Sequence, residues 1–264
     1  MMQPACDFQS GPWHGQVRQD WHETLADLDA WLAANPGELV VKYESREVRR
    51  IATPRGTVYL KRILALTDAG LHWRDWLSAL KWYCRPSRAL ACWKISRQML
   101  ESGFACCEPL LAVRRRHAWG RPEDILLTAE VSEPDLRESL PLLSPDALHE
   151  AVRTASRQLR TFHEAGFVHG DCLLRNLCLS AEGKLIFLDN DRTKRPAFWN
   201  IFCRKSRNLA QFGYSLRRCL PDHPELLPLF FDAYFGDRRP EGQIRRLTTA
   251  IETRLAKRLA RKPS

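Results

Sequence analysis

With 264 residues, 44% of them hydrophobic, the chain can bury one large core or two lobes, which excludes a disordered protein. A formal net charge of +10 points to an anionic partner and does not choose among nucleotide, acidic glycolipid, anionic membrane and nucleic acid. The opening, Met1 to Asp7, has no basic stretch followed by an apolar core, and no run of about 18 apolar residues occurs, so a cytosolic chain is predicted.

Residues 1–37 read as a polar, Trp-containing leader. Three short strands in a meander are predicted at 38–43, 45–51 and 56–62, with Pro54-Arg55-Gly56 as the turn between the last two. Lys61 closes the third strand behind Val58-Tyr59-Leu60. The segment 71–83 sets Trp73, Trp76, Trp82 and Tyr83 beside basic residues, which suits either a bilayer headgroup region or an ordinary helix with buried Trp. Ala89, Cys92, Trp93, Ser96, Met99 and Leu100 recur at helical spacing up to Gly103, a residue suited to a left-handed cap. A buried strand at 125–131 leads into a polar connector at 132–135.

Ser144-Pro145-Asp146 opens a long helix with a capping hydroxyl, a first-turn proline and a carboxylate at the positive end of the dipole. Leu148, Val152, Ala155, Leu159 and Phe162 form its one apolar stripe, ending before Gly166. A short strand is predicted at 184–188, and helices from Arg204 to the end, interrupted near Pro221, Pro224 and Pro240. The last helix sets Ile244, Leu247, Ile251, Leu255 and Leu259 on one face against seven basic residues and one acid, a pattern that fits anionic lipid or a solvated basic face equally. The nine cysteines are scattered, with no Cys-x-x-Cys pair, and read as reduced thiols.

Between the long helix and the short strand lies Val168-His169-Gly170-Asp171-Cys172-Leu173-Leu174-Arg175-Asn176, followed by Leu188-Asp189-Asn190-Asp191. An Asp-x-x-x-x-Asn loop lets the carboxylate face an acceptor hydroxyl while the amide oxygen turns back to a divalent ion. A second Asp at the end of an apolar strand, Asp189, adds the hard anionic oxygen that magnesium on a nucleotide requires. Arg175 and Arg192 flank these groups and read equally as phosphate contacts or loop-holding ion pairs; Asp191 reads as an ion-pair partner of Arg192 or Arg195. His149 and His163, on the long helix, read as packing or surface residues.

On Tyr59-Leu60-Lys61-Arg62, Ser87-Arg88-Ala89, His169-Gly170-Asp171 with Asn176, and Leu188-Asp189-Asn190-Asp191-Arg192, the chain resembles the lipopolysaccharide core sugar kinases, the heptose and Kdo kinases, over roughly residues 38–220. The resemblance implies an α+β, protein-kinase-like fold: a β-rich N-lobe at 38–131 and a helical C-lobe at 132–264. It implies ATP and Mg2+ as cofactors and a sugar of the lipopolysaccharide core as acceptor; the aromatic and basic segments admit peripheral contact with the anionic inner membrane, and without a recognition motif or stacking platform no nucleic acid is expected. Asp171 would be the catalytic base, Asn176 and Asp189 would hold the metal, and His169 would brace the loop. Lys61 would bind ATP phosphates, and the backbone of Glu130 and Val131 would meet adenine. Two features depart from the kinase pattern: Cys92 stands where the bracing helix carries Glu, and Tyr43-Glu44-Ser45-Arg46 replaces a Gly-rich loop. A kinase of a small soluble alcohol or aminoglycoside, and a non-catalytic kinase-like module, stay open as alternatives.

Overall fold

The computed structural model describes residues 3–43, 45–64, 86–116, 122–237 and 240–259. The aromatic segment 71–83 and Cys84 lie outside them. The chain divides into two compact units, one of residues 1–103 and 107–131, the other of residues 104–106 and 132–264.

The first unit is built on a seven-stranded sheet in the order β1-β2-β7-β8-β5-β4-β3, all neighbours antiparallel. The strands are β1 (Ala5–Ser10), β2 (Trp13–Arg18), β3 (Glu38–Tyr43), β4 (Arg46–Thr53), β5 (Gly56–Leu64), β7 (Pro109–Arg116) and β8 (Pro122–Ala129). The predicted meander is β3 to β5. Residues 1–37, expected as a leader, instead supply β1, β2 and helix α1 (Leu28–Ala34). Phe8, Trp13, Val17, Trp21, Leu25 and Leu28 bury themselves against Ile51, Val58, Leu60, Leu111, Val113, Ile125 and Leu127, so this segment covers one face of the sheet. Gly15 is required there, because a Cβ would sit 2.0 Å from the carbonyl oxygen of Ala112.

Helix α2 (Arg88–Glu101) covers the opposite face, packing Ala89, Cys92 and Trp93 on Ala112 and Leu126. Its N-terminus is held twice, by the Ser87 hydroxyl accepting from Leu90 N–H at 3.1 Å and by buried Asp124 accepting from Arg88 N–H at 2.7 Å. Its end is the predicted one, Gly103 at φ +83°.

The second unit is helical, with a small sheet in the order β6-β10-β9: β6 (Ala105–Cys106), β9 (Leu177–Leu179) and β10 (Leu185–Phe187). Its helices are α3 (Leu136–Ser139), α4 (Pro145–Glu164), α5 (Phe198–Cys219), α6 (Leu226–Phe235) and α7 (Glu241–Leu259). Helix α4 begins where Pro145 predicts, but the Ser144 side chain makes no capping hydrogen bond, so the fixed φ of proline and the Asp146 charge define that end.

Helix α7 packs on α5. Ile251 and Leu247 are buried, Arg217 pairs with Glu252 at 3.6 Å, and Arg254 lies over the Tyr214 ring at 4.6 Å. Two residues of its apolar stripe, Leu247 and Ile251, are therefore used inside the unit, in keeping with the reading of a helix with a solvated basic face. Among the described residues no helix is long and apolar enough to cross a membrane. All eight described cysteines are free, and burial pushes the Cys172 thiol well above its usual range.

Candidate active site

The second unit brings the predicted loop residues together. The α4 stripe ends in an aromatic cluster: Phe162 stacks on Phe187 at 4.1 Å and on Phe167 at 5.3 Å, with Phe104 edge-on at 5.2 Å. This cluster fixes where the chain leaves α4, turns at Gly166 (φ +85°) and enters Val168. Val168 then pairs with Lys194 through reciprocal backbone hydrogen bonds of 2.9 and 3.1 Å. Gly170 lies so close to Arg192 that a Cβ would fall 2.0 Å from the Arg192 Cβ and 2.6 Å from its Cα, so any larger residue would push the two loops apart.

Asp171 is a half-buried carboxylate held from three sides. Asn176 Nδ2 donates to its Oδ2 at 3.1 Å and to its carbonyl at 2.8 Å. Gln211 Nε2 donates to its Oδ1 at 3.2 Å, and Arg175 Nη2 to its Oδ2 at 3.1 Å. Of the two readings of Arg175, the structure shows the ion pair. With its nitrogen committed to Asp171, the Asn176 amide leaves its oxygen as the end available to a cation.

Asp189 is the sole described non-glycine residue with positive φ, at φ 49° and ψ 61°. Such a conformation is costly for a residue with a Cβ and marks strain at functional sites. Its strand end is tied to the first loop from both sides: Leu188 N–H donates to the Asn176 carbonyl at 2.9 Å, and His169 Nε2 donates to the Leu188 carbonyl at 2.8 Å. His169 Nδ1 in turn accepts from Asp171 N–H at 3.2 Å, which fixes the tautomer as neutral with the proton on Nε2. Burial, the largest influence, also holds this imidazole below its ordinary value. Arg195 donates to the Ala165 carbonyl at 3.0 Å and lies over the Phe167 ring at 4.8 Å.

Sequence reasoning missed the helix that carries the loop. On α5, Asn208, Gln211 and Ser215 stand at steps of three and four and so share one face. Asn208 accepts from His169 N–H at 2.9 Å and donates to the His169 carbonyl at 2.6 Å. Gln211 accepts from Cys172 N–H at 3.3 Å, and Ser215 from Leu174 N–H at 3.2 Å. This polar stripe, set among Leu209, Phe212 and Leu216, was the available signal.

His163, expected as a packing or surface residue, is fully buried and donates from Nε2 to Asn208 Oδ1 at 3.1 Å, while its Nδ1 meets the Tyr234 hydroxyl at 2.7 Å. Burial, offset by the Asn208 bond, lowers its pKa from 6.5 to about 4. The unfolded chain therefore binds this proton below pH 6.5 and the native chain only below about 4, so the contribution to stability is complete above pH 6.5 and is lost as pH falls toward 4. The loss amounts to about 3 kcal/mol at most. The unfolding midpoint is expected to fall more steeply between pH 6.5 and pH 4 in the wild type than in His163→Gln; parallel curves would contradict the assignment.

In the first unit, Lys61 is buried and sits opposite Val48 and Leu126 in the sheet register. Leu126 packs on α2, so Lys61 belongs to the sheet face that carries that helix. Cys92 is buried on the same face, its Sγ 4.0 Å from Ser96 Oγ. Glu130 receives two hydrogen bonds from Arg50, at 2.7 and 3.1 Å, and this guanidinium keeps its carboxyl below the usual range. Glu130 N–H donates to the Thr57 carbonyl at 3.0 Å, and Val131 ends the unit.

A β-sheet unit with a lysine-bearing interior strand, joined to a helical unit whose His-Gly-Asp loop is tied to a strained Asp, is the make-up of a protein-kinase-like phosphotransferase. A solved structure of WaaP in complex with acyl carrier protein matches with a TM-score of 0.58 over 88% of this chain and 92% of that chain, at 20% identity, a likeness of fold. No curated protein matches the sequence. The model of the lipopolysaccharide kinase (Kdo/WaaP) family matches residues 76–221, more than half of the chain, and the chain belongs to that family. It is an ATP-dependent kinase of the lipopolysaccharide core that transfers phosphate to a sugar hydroxyl.

Proposed function

We propose that Asp171 is the general base, and that the acceptor is an inner-core heptose or Kdo hydroxyl. The observation that carries this reading is the Asp171 carboxylate, half-exposed yet fixed by Asn176 and Gln211, as an oriented base must be. Phosphoryl transfer asks chiefly for positioning and neutralisation of charge, and the loop supplies the first. Asp171 takes the proton from the sugar hydroxyl as the phosphoryl group arrives, and His169, held neutral, keeps the loop in register. Asn176 and Asp189 fit Mg2+ as a hard amide oxygen and a carboxylate on adjoining, hydrogen-bonded segments. When bound, the ion neutralises phosphate charge.

In the same reading the β-rich unit binds the nucleotide, Lys61 through the phosphates and Glu130 and Val131 through backbone groups toward adenine, and residues 132–264 carry the acceptor. Any contact with the anionic inner membrane rests on the exposed basic side of α7, including Arg245, Arg246 and Lys257. The test is ATP consumption with purified core oligosaccharides truncated at Kdo or at heptose, full lipopolysaccharide and small soluble alcohols, with the phosphorylated ring read by 31P NMR. Phosphate on an inner-core ring is expected; transfer to soluble alcohols alone would overturn the acceptor assignment.

A further inference from the structure

Across the described residues most arginines are paired with a carboxylate: Arg18, Arg50, Arg62, Arg114, Arg115, Arg160 and Arg217 all are. Within the His-Gly-Asp loop Arg175 is paired in the same way, with Asp171. Lys194, Arg204 and Arg207 have no ion pair among the described residues. Partial burial, then the charges of Arg204 and Arg207, hold the Lys194 ammonium below its ordinary value, as expected of cations gathered in one place. Like charges held together without an anion cost free energy, and the protein folds them next to its active loop.

Their placement is set by the backbone. Lys194 pairs with Val168, three residues before Asp171. Arg204 precedes Asn208 by one helical turn, and Arg207 precedes Gln211 by one, so both cations extend the face of α5 that holds the loop. The backbone that carries these cations is held: Asn208 and Gln211 are buried and hydrogen-bonded, and Lys194 pairs through its backbone with Val168.

We infer that Lys194, Arg204 and Arg207 form an anion subsite for the acceptor, taking a phosphate or carboxylate already on the sugar while Asp171 faces the hydroxyl to be phosphorylated. This rests on the kinase reading above and adds to it the charge the acceptor carries near its reacting ring. Positive side chains suit such a role, since charge-assisted hydrogen bonds to a phosphate or carboxylate are about twice as strong as neutral ones.

The test is equilibrium binding, without nucleotide, of the phosphorylated inner-core oligosaccharide to the full chain and to Arg204→Gln/Arg207→Gln. The dissociation constant is expected to rise about tenfold in the Gln variant at moderate salt, while affinity for an ATP analogue stays put. Arg204→Lys/Arg207→Lys, which retains the charge, should keep most of the affinity, and thermal melts report whether each variant is folded. Dephosphorylated or carboxyl-reduced oligosaccharide identifies which anion is held: the modification that erases the wild-type advantage names it. Equal binding of the intact oligosaccharide by the wild type and the Gln variant, or an equal loss in the Lys variant, would overturn the subsite. Charge-dependent binding by a wild type that transfers no phosphate from ATP would instead overturn the kinase reading and leave the subsite standing.

Discussion

Replacement of Asn208 by Leu is expected to destabilise the helical unit by about 3–9 kcal/mol and to lower its unfolding midpoint by about 10 °C or more. The side chain is 1% exposed and satisfies three buried groups at once: the N–H and carbonyl of His169 and the Nε2 proton of His163. Leucine has the same branching and number of side-chain heavy atoms, so the shape is largely kept while the three polar groups lose their partners. Each such group costs about 1–3 kcal/mol when left buried and unpaired. Arg218→Ala, on the exposed side of the same helix, should stay within about 0.5 kcal/mol of the wild type. Melting curves of the three proteins decide the matter, and an Asn208→Leu protein as stable as Arg218→Ala would show that the network does not hold the loop.

Much of this unit was legible in the sequence because its signals are local. The α4 stripe, Gly166, and the spacing from Asp171 to Asn176 and Asp189 each rest on periodicity or on the chemistry of a short loop. The α5 stripe that binds the loop was not, since polar residues at helical spacing read as solvated until the loop's backbone groups are seen against them. In the sheet unit, β3 to β5 follow from alternation and the Pro-Arg-Gly turn, and α2 from its apolar spacing. The strands β1 and β2 escaped notice because only Phe8, Trp13 and Val17 point inward among polar neighbours, with Gly15 where a side chain would strike β7. Strand β7 was likewise absent from the prediction, although the run Leu110 to Val113 fits a buried strand. Long-range pairing chose its place, as no local feature does.

The larger functional effect is expected at Asp171. Asp171→Asn preserves shape and solvent exposure, so the fold should be kept, but the amide has no basic oxygen and turns a donor toward Gln211 or Asn176, both already donors. Loss of a general base costs about 10^2–10^4 in turnover, while ATP affinity, which does not draw on this carboxylate, should change little. Wild type and Asp171→Asn are to be compared in a single turnover of labelled ATP onto purified lipopolysaccharide core, each with its melting curve in hand. Transfer by the wild type, with a loss of about 10^2–10^4 in a folded variant that still binds ATP, is the predicted result. A folded Asp171→Asn protein that transfers phosphate at the wild-type rate would contradict the account.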